Sequence, residues 1–528
     1  MSPGVLEELV KLSLVAFEEV VVERDFSGAK GVVRSSPHEP TPEQAEALRV
    51  IRKMMDGGGE KGTHTVLLHG VTASGKTEVY LQAIAHALEK DHEAIVLVPE
   101  ISLTPQTVER FRSRFGDMVS VLHSGLTDLE RYEEWMKVHS GKVKIAVGAR
   151  SALFAPFRNL GLIVVDEEHD SSYKQSEAPR YNARDVAVFR GKLENCTVIL
   201  GSATPSLESY KNALDGKYVL CEMKKRTDEH IVLPEVKIID MRLETDDEGK
   251  KPIFSKFLIE AVEKRISMGE QSILFFNLRG YARKLVCSSC GEYKAECPEC
   301  SVAYTYHKRA GVLRCPRCGA TVLAPEKCPL CGSGELKYTG VGTEKIENIS
   351  FDVFKGARIA RMDSDTMTRP SLYEKTLAAF RKGDLDILIG TQMIAKGLDF
   401  PNVTFVGVVN ADMGLYAPGD FRSQEHAFQL LTQVSGRAGR GGIHGEVLIQ
   451  TCSPFNSAIQ FAAEHDYGSF FAEEIELRKE LAYPPFNHVM LIHFRGPDAE
   501  QVLLTARKLM EKIRPAVAQE TKVTEPAP

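Results

Sequence analysis

The residues Gly70, Val71, Thr72, Ala73, Ser74, Gly75, Lys76 and Thr77 follow the apolar run Val66–Leu68 and precede the helix-forming run EVYLQAIAHALEK. That order of strand, glycine-containing turn, Lys-Thr and helix is what a phosphate-binding loop requires. Backbone N–H groups turned inward at a helix N-terminus hold the β-phosphate. Lys76 places a point charge on the β/γ oxygens, and the Thr77 hydroxyl ligates Mg²⁺. The expected ligand is a nucleoside triphosphate. A plain Gly-containing turn before a helix is the competing reading, and the complete order of parts weighs against it.

Downstream, LIVVDEEHD puts Asp166 and Glu167 at the end of an apolar strand. Asp166 is expected to hold Mg²⁺ through water and Glu167 to polarise the attacking water. Alone, such an acidic pair is a solvated loop; behind a phosphate loop it reads as catalytic. Gly201-Ser202-Ala203-Thr204 follows the next strand and reads either as a γ-phosphate sensor or as a tight turn. Gln433-x-x-Gly436-Arg437-x-x-Arg440 is placed at the end of a helix, where Arg437 and Arg440 at i, i+3 share a face and suit arginine fingers. Between the acidic pair and Gly201, Tyr173, Lys174, Arg180, Tyr181 and Arg184 interleave rings with cations. Such a loop can stack bases and neutralise phosphates, or be ordinary loop composition.

The cysteines point to metal. Of the 11, eight form the C-x-x-C pairs Cys287/Cys290, Cys297/Cys300, Cys315/Cys318 and Cys328/Cys331. Eight thiolates suit two tetrahedral Cys₄ zinc sites. The tract VAYTYHKRAGVLR alternates like a hairpin and would bring the two inner pairs together, leaving the outer pairs to close over them; a sequential pairing fits the spacing too. Redox-active pairs would need a thioredoxin-like context that is absent. Cys196, Cys221 and Cys452 read as core thiols.

These groups need a scaffold, and the chain is long enough for several domains: 528 residues exceed a single core. No apolar run approaches the ~20 residues of a membrane span, and the N-terminal residues lack a secretory pattern, so a cytoplasmic protein without membrane partners is expected. The net charge of −6 excludes a wholesale basic coat but not a local nucleic-acid groove. From Thr41, short apolar strands alternate with amphipathic helices, the signature of parallel α/β architecture. Strands are expected at 66–69, 94–98, 119–122, 144–147, 162–166 and 197–200. A second series runs from Ser272 to Thr451, interrupted by the cysteine block. Beyond it a helical stretch reaches about Leu481, then a strand-like HVMLIHF and a helix from Ala499 to Ile513. The fold class is thus α/β: two RecA-like parallel-sheet lobes, a Cys-rich zinc-binding insertion in the second, and a small α+β C-terminal domain. The boundaries follow as 1–40 (a helix, a β-rich stretch and a linker), 41–230 (first lobe), 231–285 and 335–451 (second lobe), 286–334 (zinc insertion) and 452–528 (C-terminal domain).

Taken together, GVTASGKTEVY, VPEISLTPQ, GARSALFAP, VVDEEHDSSYKQ, PRYNARDVA, GSATPS, LRGYA, the paired cysteines, GTQMIAKGLDFPNV and QVSGRAGR resemble the superfamily 2 helicases. Within them the chain is similar to the primosomal protein N′ family of bacterial replication-restart helicases. That resemblance implies ATP-driven 3′→5′ translocation on single-stranded DNA, loading at stalled or abandoned forks, and primosome assembly. The implied partners are forked and single-stranded DNA, single-stranded-DNA-binding protein and other primosome components. Carried over by motif, Gln44 lies near the adenine, Tyr173 to Arg184 couple DNA to hydrolysis, and Lys396 and Asp399 relay between ATP and DNA. The family's zinc pairing is nested: Cys287, Cys290, Cys328 and Cys331 hold one Zn²⁺, and Cys297, Cys300, Cys315 and Cys318 the other. Two departures stand out. Ala73 occupies a position where the family usually has Gly, and the stretches 1–40 and 452–528 read as shortened forms of the family's winged helix and C-terminal domain. The alternatives are a fork-binding zinc scaffold with an uncoupled motor, or another superfamily 2 translocase.

Overall fold

The computed structural model describes residues 5, 9–12, 14–16, 34–58, 63–175, 177–227, 234–245, 249, 251–276, 284–287, 289–290, 295–297, 304–307, 311–315, 320–334, 336–339, 343–363, 370–395, 400, 402–415, 420–439, 445–492, 494, 496, 498–518 and 521–526. The chain divides into two compact units, one of residues 1–70, 75–202 and 217–223, the other of 71–74, 203–216 and 224–528. Each is built on a wholly parallel sheet, giving two RecA-like lobes with a Cys-rich cluster in the second lobe region.

The first sheet comprises β1 (Thr65–Gly70), β2 (Glu93–Leu97), β3 (Val119–Leu122), β4 (Ile145–Gly148), β5 (Leu160–Asp166), β6 (Thr197–Ser202) and β7 (Val219–Met223), in the order β3-β4-β2-β5-β6-β1-β7. Its middle strands are covered on both faces, so their sequences run apolar without alternation. In β2, Ala94, Ile95, Val96 and Leu97 are all fully buried. Each such Val, Leu or Ile side chain stabilises the fold by about 1.5–3 kcal/mol. The six strands expected from sequence are present, whereas β7, an edge strand of mixed burial, was not anticipated. Its short apolar run Tyr218–Cys221 was the available signal. Helix α1 (Pro42–Lys53) opens the first lobe with a capping box: the Thr41 hydroxyl accepts from Gln44 N–H, and Gln44 Oε1 accepts from Thr41 N–H at 2.9 Å.

In the second unit β8 (Glu235–Asp240) and β9 (Gln271–Phe275) join a sheet ordered β15-β16-β9-β17-β18-β8. Before its remaining strands come the small antiparallel pieces β10 (Lys284–Cys287), β11 (Thr305–His307), β12 (Val312–Arg314), β13 (Thr321–Leu323) and β14 (Leu336–Thr339). The β11–β12 pairing is the hairpin expected between the inner cysteines. The sheet resumes with β15 (Ile359–Met362), β16 (Ile387–Gly390), β17 (Val403–Val408) and β18 (Glu446–Thr451). The helix Lys76–Glu89 is α2, Ser423–Ser435 is α3 and Tyr467–Glu480 is α4.

Inside the second unit, Arg478 of α4 is 1% exposed and fully engaged. Its guanidinium donates to Glu425 Oε2 at 2.6 Å and to Glu474 Oε1 at 3.1 Å, and lies 3.9 Å from Glu208. Glu425 in turn accepts from Leu207 N–H at 3.0 Å. Burial, with the Glu208 charge adding to it, pushes the Glu425 carboxyl up to about 7 against the pull of Arg478.

Three expectations fail here, the first being Cys452, read as a core thiol but exposed at the end of β18, where the chain leaves the sheet. HVMLIHF is not a strand: residues 488–492 are irregular, with Val489, Met490 and Leu491 strongly exposed. Apolar alternation makes a strand only where a neighbour completes the ladder, and among the described residues none pairs with it. The arginine motif does not continue the helix either, since α3 ends at Ser435 with Gly436 as its C-cap. Arg437 therefore lies in the turn beyond, and the i, i+3 face argument does not apply to it. The β-rich stretch expected within 15–25 lies, from residue 17, outside the described residues. The helix Ala499–Ile513 is present as expected. Among the described residues no helix is long and apolar enough to cross a membrane.

Candidate nucleotide site and metal centre

β1 delivers the chain to Gly70, and α2 starts at Lys76. The turn between them closes through Ser74 N–H to Val71 O at 3.1 Å. It needs two left-handed residues, Ala73 at φ 64° and Gly75 at φ 81°. Glycine adopts that region freely, and alanine at a cost of roughly 1–2 kcal/mol. Gly75 is the N-cap of α2 and offers no side-chain cap, and a helix N-terminus of this kind suits an anion. Lys76 is partly buried, and its ammonium donates to Gly70 O at 2.6 Å. Desolvation holds its pKa below the usual lysine range, with Glu167 and then Asp166 opposing. The donor set therefore suits a phosphate chain.

Asp166 ends β5, and the sheet order β5-β6-β1 places it at the same end of the sheet as Gly70, with β6 between them. Its Oδ1 accepts from the Tyr80 hydroxyl at 3.0 Å, and its carbonyl from the Tyr173 hydroxyl at 2.6 Å. Burial, then the Glu167 charge, pushes its carboxyl up to about 6, with Lys76 pulling the other way. Glu167 takes a left-handed backbone at φ 47°, the kind of strained residue that clusters at functional sites. His169 Nδ1 shares a hydrogen bond with Ser202 Oγ at 2.7 Å and lies 3.6 Å from Glu167. Ser202 thus ties the acidic segment to β6, an arrangement finer than either sequence reading of Gly201–Thr204. Gln44 is 3% exposed, with its amide oxygen committed to the capping box.

The loop 173–184 is closed at its base by Gln175 N–H to Tyr181 O at 2.7 Å and by a Lys174–Asn182 bridge. Lys174 and Arg180 are exposed on it. Tyr181 meets Phe154 edge-on at 5.3 Å, and Phe154 is itself 55% exposed. Tyr173 departs from the expectation of a stacking ring: it is 1% exposed, packed beneath Asp166. Arg184 pairs with buried Glu168 at 3.3 Å and with Asp185 at 2.8 Å. Sequence reasoning singled out neither Phe154 nor Arg150, whose guanidinium donates to Ser172 O and Lys174 O at 3.2 Å and so props the loop. Tyr80 and Glu168 were also missed. Their only signal was proximity to motifs whose other members had obvious chemistry.

In the second unit, Gly436 packs against Thr72, where an added Cβ would sit 3.1 Å from the threonine methyl. Arg437 follows it, half-buried. Arg440, Lys396 and Asp399 lie outside the described residues.

Cys287, Cys290, Cys328 and Cys331 converge, with all four Sγ atoms within 4.8 Å of one another. Cys287–Cys331 is 3.6 Å and Cys290–Cys328 is 3.8 Å. A tetrahedral Zn–S length of about 2.3 Å implies S–S spacings of about 3.8 Å, so the set fits zinc. The backbone N–H of Cys290 leads in drawing the Cys287 thiol down to about 6, toward the thiolate a metal needs. This is the outer half of the nested pairing. Cys297 and Cys315 are both buried in the small hairpin core, while Cys300 and Cys318 lie outside the described residues.

These features fit the two-lobe class of helicase domains: the DEAD/DEAH box helicase family model matches residues 41–213 and the helicase conserved C-terminal domain matches 341–442. The PriA DNA helicase Cys-rich region model matches 297–322. Replication restart protein PriA of Bacillus subtilis (strain 168) is 47% identical over the whole of this chain, which spans 64% of that protein. The same protein of Treponema pallidum (strain Nichols) is 41% identical, with 89% of this chain and 69% of the relative covered. That of Rickettsia conorii (strain ATCC VR-613 / Malish 7) is 40% identical, with 92% and 72% covered. The chain belongs to the replication restart protein PriA family.

Proposed function

We propose that this chain is the motor of an ATP-dependent DNA helicase that moves 3′→5′ on single-stranded DNA, acts at stalled or abandoned replication forks, and initiates primosome assembly. The observation that carries this reading is the placement of the phosphate loop and the Asp166–Glu167 pair at one end of the parallel sheet. The names of the relatives supply the replication-restart context.

In this reading Gly70–Thr77 cradle the phosphates and Lys76 turns from the Gly70 carbonyl to the β/γ oxygens. Thr77 and Asp166 hold Mg²⁺, whose charge offsets that building on the phosphates. Glu167 orients the attacking water, and Gln44 lies by the adenine. Arg437 and Arg440 serve as arginine fingers. Lys174, Arg180, Tyr181 and Arg184 meet the DNA, with Tyr173 supporting them from below, and Lys396 and Asp399 relay between ATP and DNA. Residues 41–230 form the first lobe, 231–285 and 335–451 the second, 286–334 an insertion with two Zn²⁺, and 452–528 the C-terminal domain. Single-stranded-DNA-binding protein and other primosome components are the expected protein partners.

The test is steady-state ATP hydrolysis by zinc-loaded protein with and without single-stranded DNA, beside Lys76→Ala. DNA-stimulated turnover abolished by the substitution supports the motor. Turnover indifferent to DNA would sink it.

A further inference from the structure

Tyr80 belongs to neither the phosphate loop nor the acidic box, yet it stands on the helix that follows the first and reaches the second. It is the fifth residue of α2 and 1% exposed. Its hydroxyl donates to Asp166 Oδ1 at 3.0 Å. The room for that hydroxyl is made on the strand between β1 and β5: a Cβ on Gly201 would overlap the Tyr80 oxygen and come within 2.8 Å of Cζ. Gly201 therefore lacks a side chain where the phenol oxygen must pass. The Asp166 main chain is held separately, by Tyr173 at its carbonyl.

A phenylalanine would fill the same apolar volume, and a buried hydroxyl costs free energy unless it is bonded. The oxygen of Tyr80 has this one carboxylate to satisfy it in the described bonds. A carboxylate with one oxygen fixed by a rigid, buried donor cannot rotate freely about its Cβ–Cγ bond. Its other oxygen is then set before any ligand arrives, which is how a supporting group lends affinity to a metal ligand.

We propose that Tyr80 is a positioning residue of the nucleotide site, holding one oxygen of Asp166 so that the other is presented to the divalent cation bound with the nucleotide. This rests on the reading of Asp166 as the carboxylate that holds Mg²⁺.

The experiment is ADP binding by calorimetry on the zinc-loaded full chain, in MgCl₂ and in magnesium-free buffer, for the parent, Tyr80→Phe, Gly201→Ala and Asp166→Asn. Tyr80→Phe is expected to bind ADP like the parent without magnesium and about tenfold more weakly in MgCl₂, the size of a lost hydrogen bond to a charged group. Gly201→Ala keeps the phenol but displaces it, and should show the same magnesium-specific loss. An equal loss in both media would mark Tyr80 as mere packing and overturn the proposal. A loss in Asp166→Asn with none in Tyr80→Phe would overturn it alone. No loss in Asp166→Asn would overturn it together with the reading of Asp166.

Discussion

Lys76, Asp166 and Glu167 in the first unit, and Arg478, Glu425, Glu474 and Glu208 in the second, are both clusters of desolvated charge. They are built differently. Arg478 spends its guanidinium on Glu425 and Glu474, with Glu208 beyond and the Phe421 ring 5.2 Å from its carbon. Lys76 instead donates to a backbone carbonyl, while the Asp166 carboxylate accepts from a tyrosine hydroxyl and from the Glu167 backbone N–H. The first-unit charges are held near one another with their pKa values displaced from both sides, the lysine down and the aspartate up. Burial of charge alone therefore does not mark a site. The saturated cluster ties residues Leu207 and Glu208 to α3 and α4 and is structural. The other holds Glu167 in a left-handed backbone, and such strain together with displaced pKa values clusters at functional sites.

The comparison breaks most sharply under truncation. Lys76→Ala should lower ATP turnover by at least ~100-fold, in the range of removing a principal electrostatic contact, with the thermal midpoint nearly unchanged. Arg478→Ala should do the reverse, costing ~3–5 kcal/mol of stability because buried carboxylates lose their partner. Denaturant unfolding beside initial ATPase rates separates the two. If Arg478→Ala were as stable as the parent, the saturated-cluster reading would be wrong.

The cysteine centre is a third arrangement, of thiols that run from buried Cys287 and Cys328 to exposed Cys331. Cys287→Ser should lose one zinc per chain by metal analysis and unfold the 286–334 region locally, since metal binding is folding free energy there. Nucleotide binding to the first unit should survive it.

pH sharpens the contrast more gently. The folded-state pKa of Glu425 is raised to about 7 from an ordinary 4.5. A raised carboxyl binds its proton more tightly when folded, so its contribution to stability is present below about 4.5 and is lost as pH rises through 7. The midpoint of Glu425→Gln relative to the parent should therefore climb between pH 5 and pH 8, whatever the offset at the start. A flat difference would place the carboxyl at its ordinary pKa.

The smallest effect belongs to Ala73→Gly. Relief of the left-handed alanine is worth roughly 1–2 kcal/mol, but glycine returns about 0.5–1 kcal/mol through the freedom of the unfolded chain. A gain in stability of at most about 1 kcal/mol in denaturant unfolding is expected.

Much of this protein was written in local sequence. The phosphate loop, the inner strands of both sheets, the cysteine hairpin and the helix at Ala499 are set by short-range patterns: a glycine-bounded turn, unbroken apolar runs between amphipathic helices, and C-x-x-C spacing; the edge strands β7 and β8 were not read. Local pattern misled where the outcome depends on a neighbour. HVMLIHF alternates correctly but has no strand to pair with, and the run into Arg437 carries helix-compatible residues while the backbone turns at Gly436. What only the tertiary structure decided is which polar groups are enclosed together. Tyr80 and Asp166 are 86 residues apart, and Glu425 and Arg478 are 53 apart. Tyr173, which reads as an exposed ring, is buried for the same reason. Burial and hydrogen-bond partnership are properties of packing across the chain, and no stretch of sequence encodes them alone.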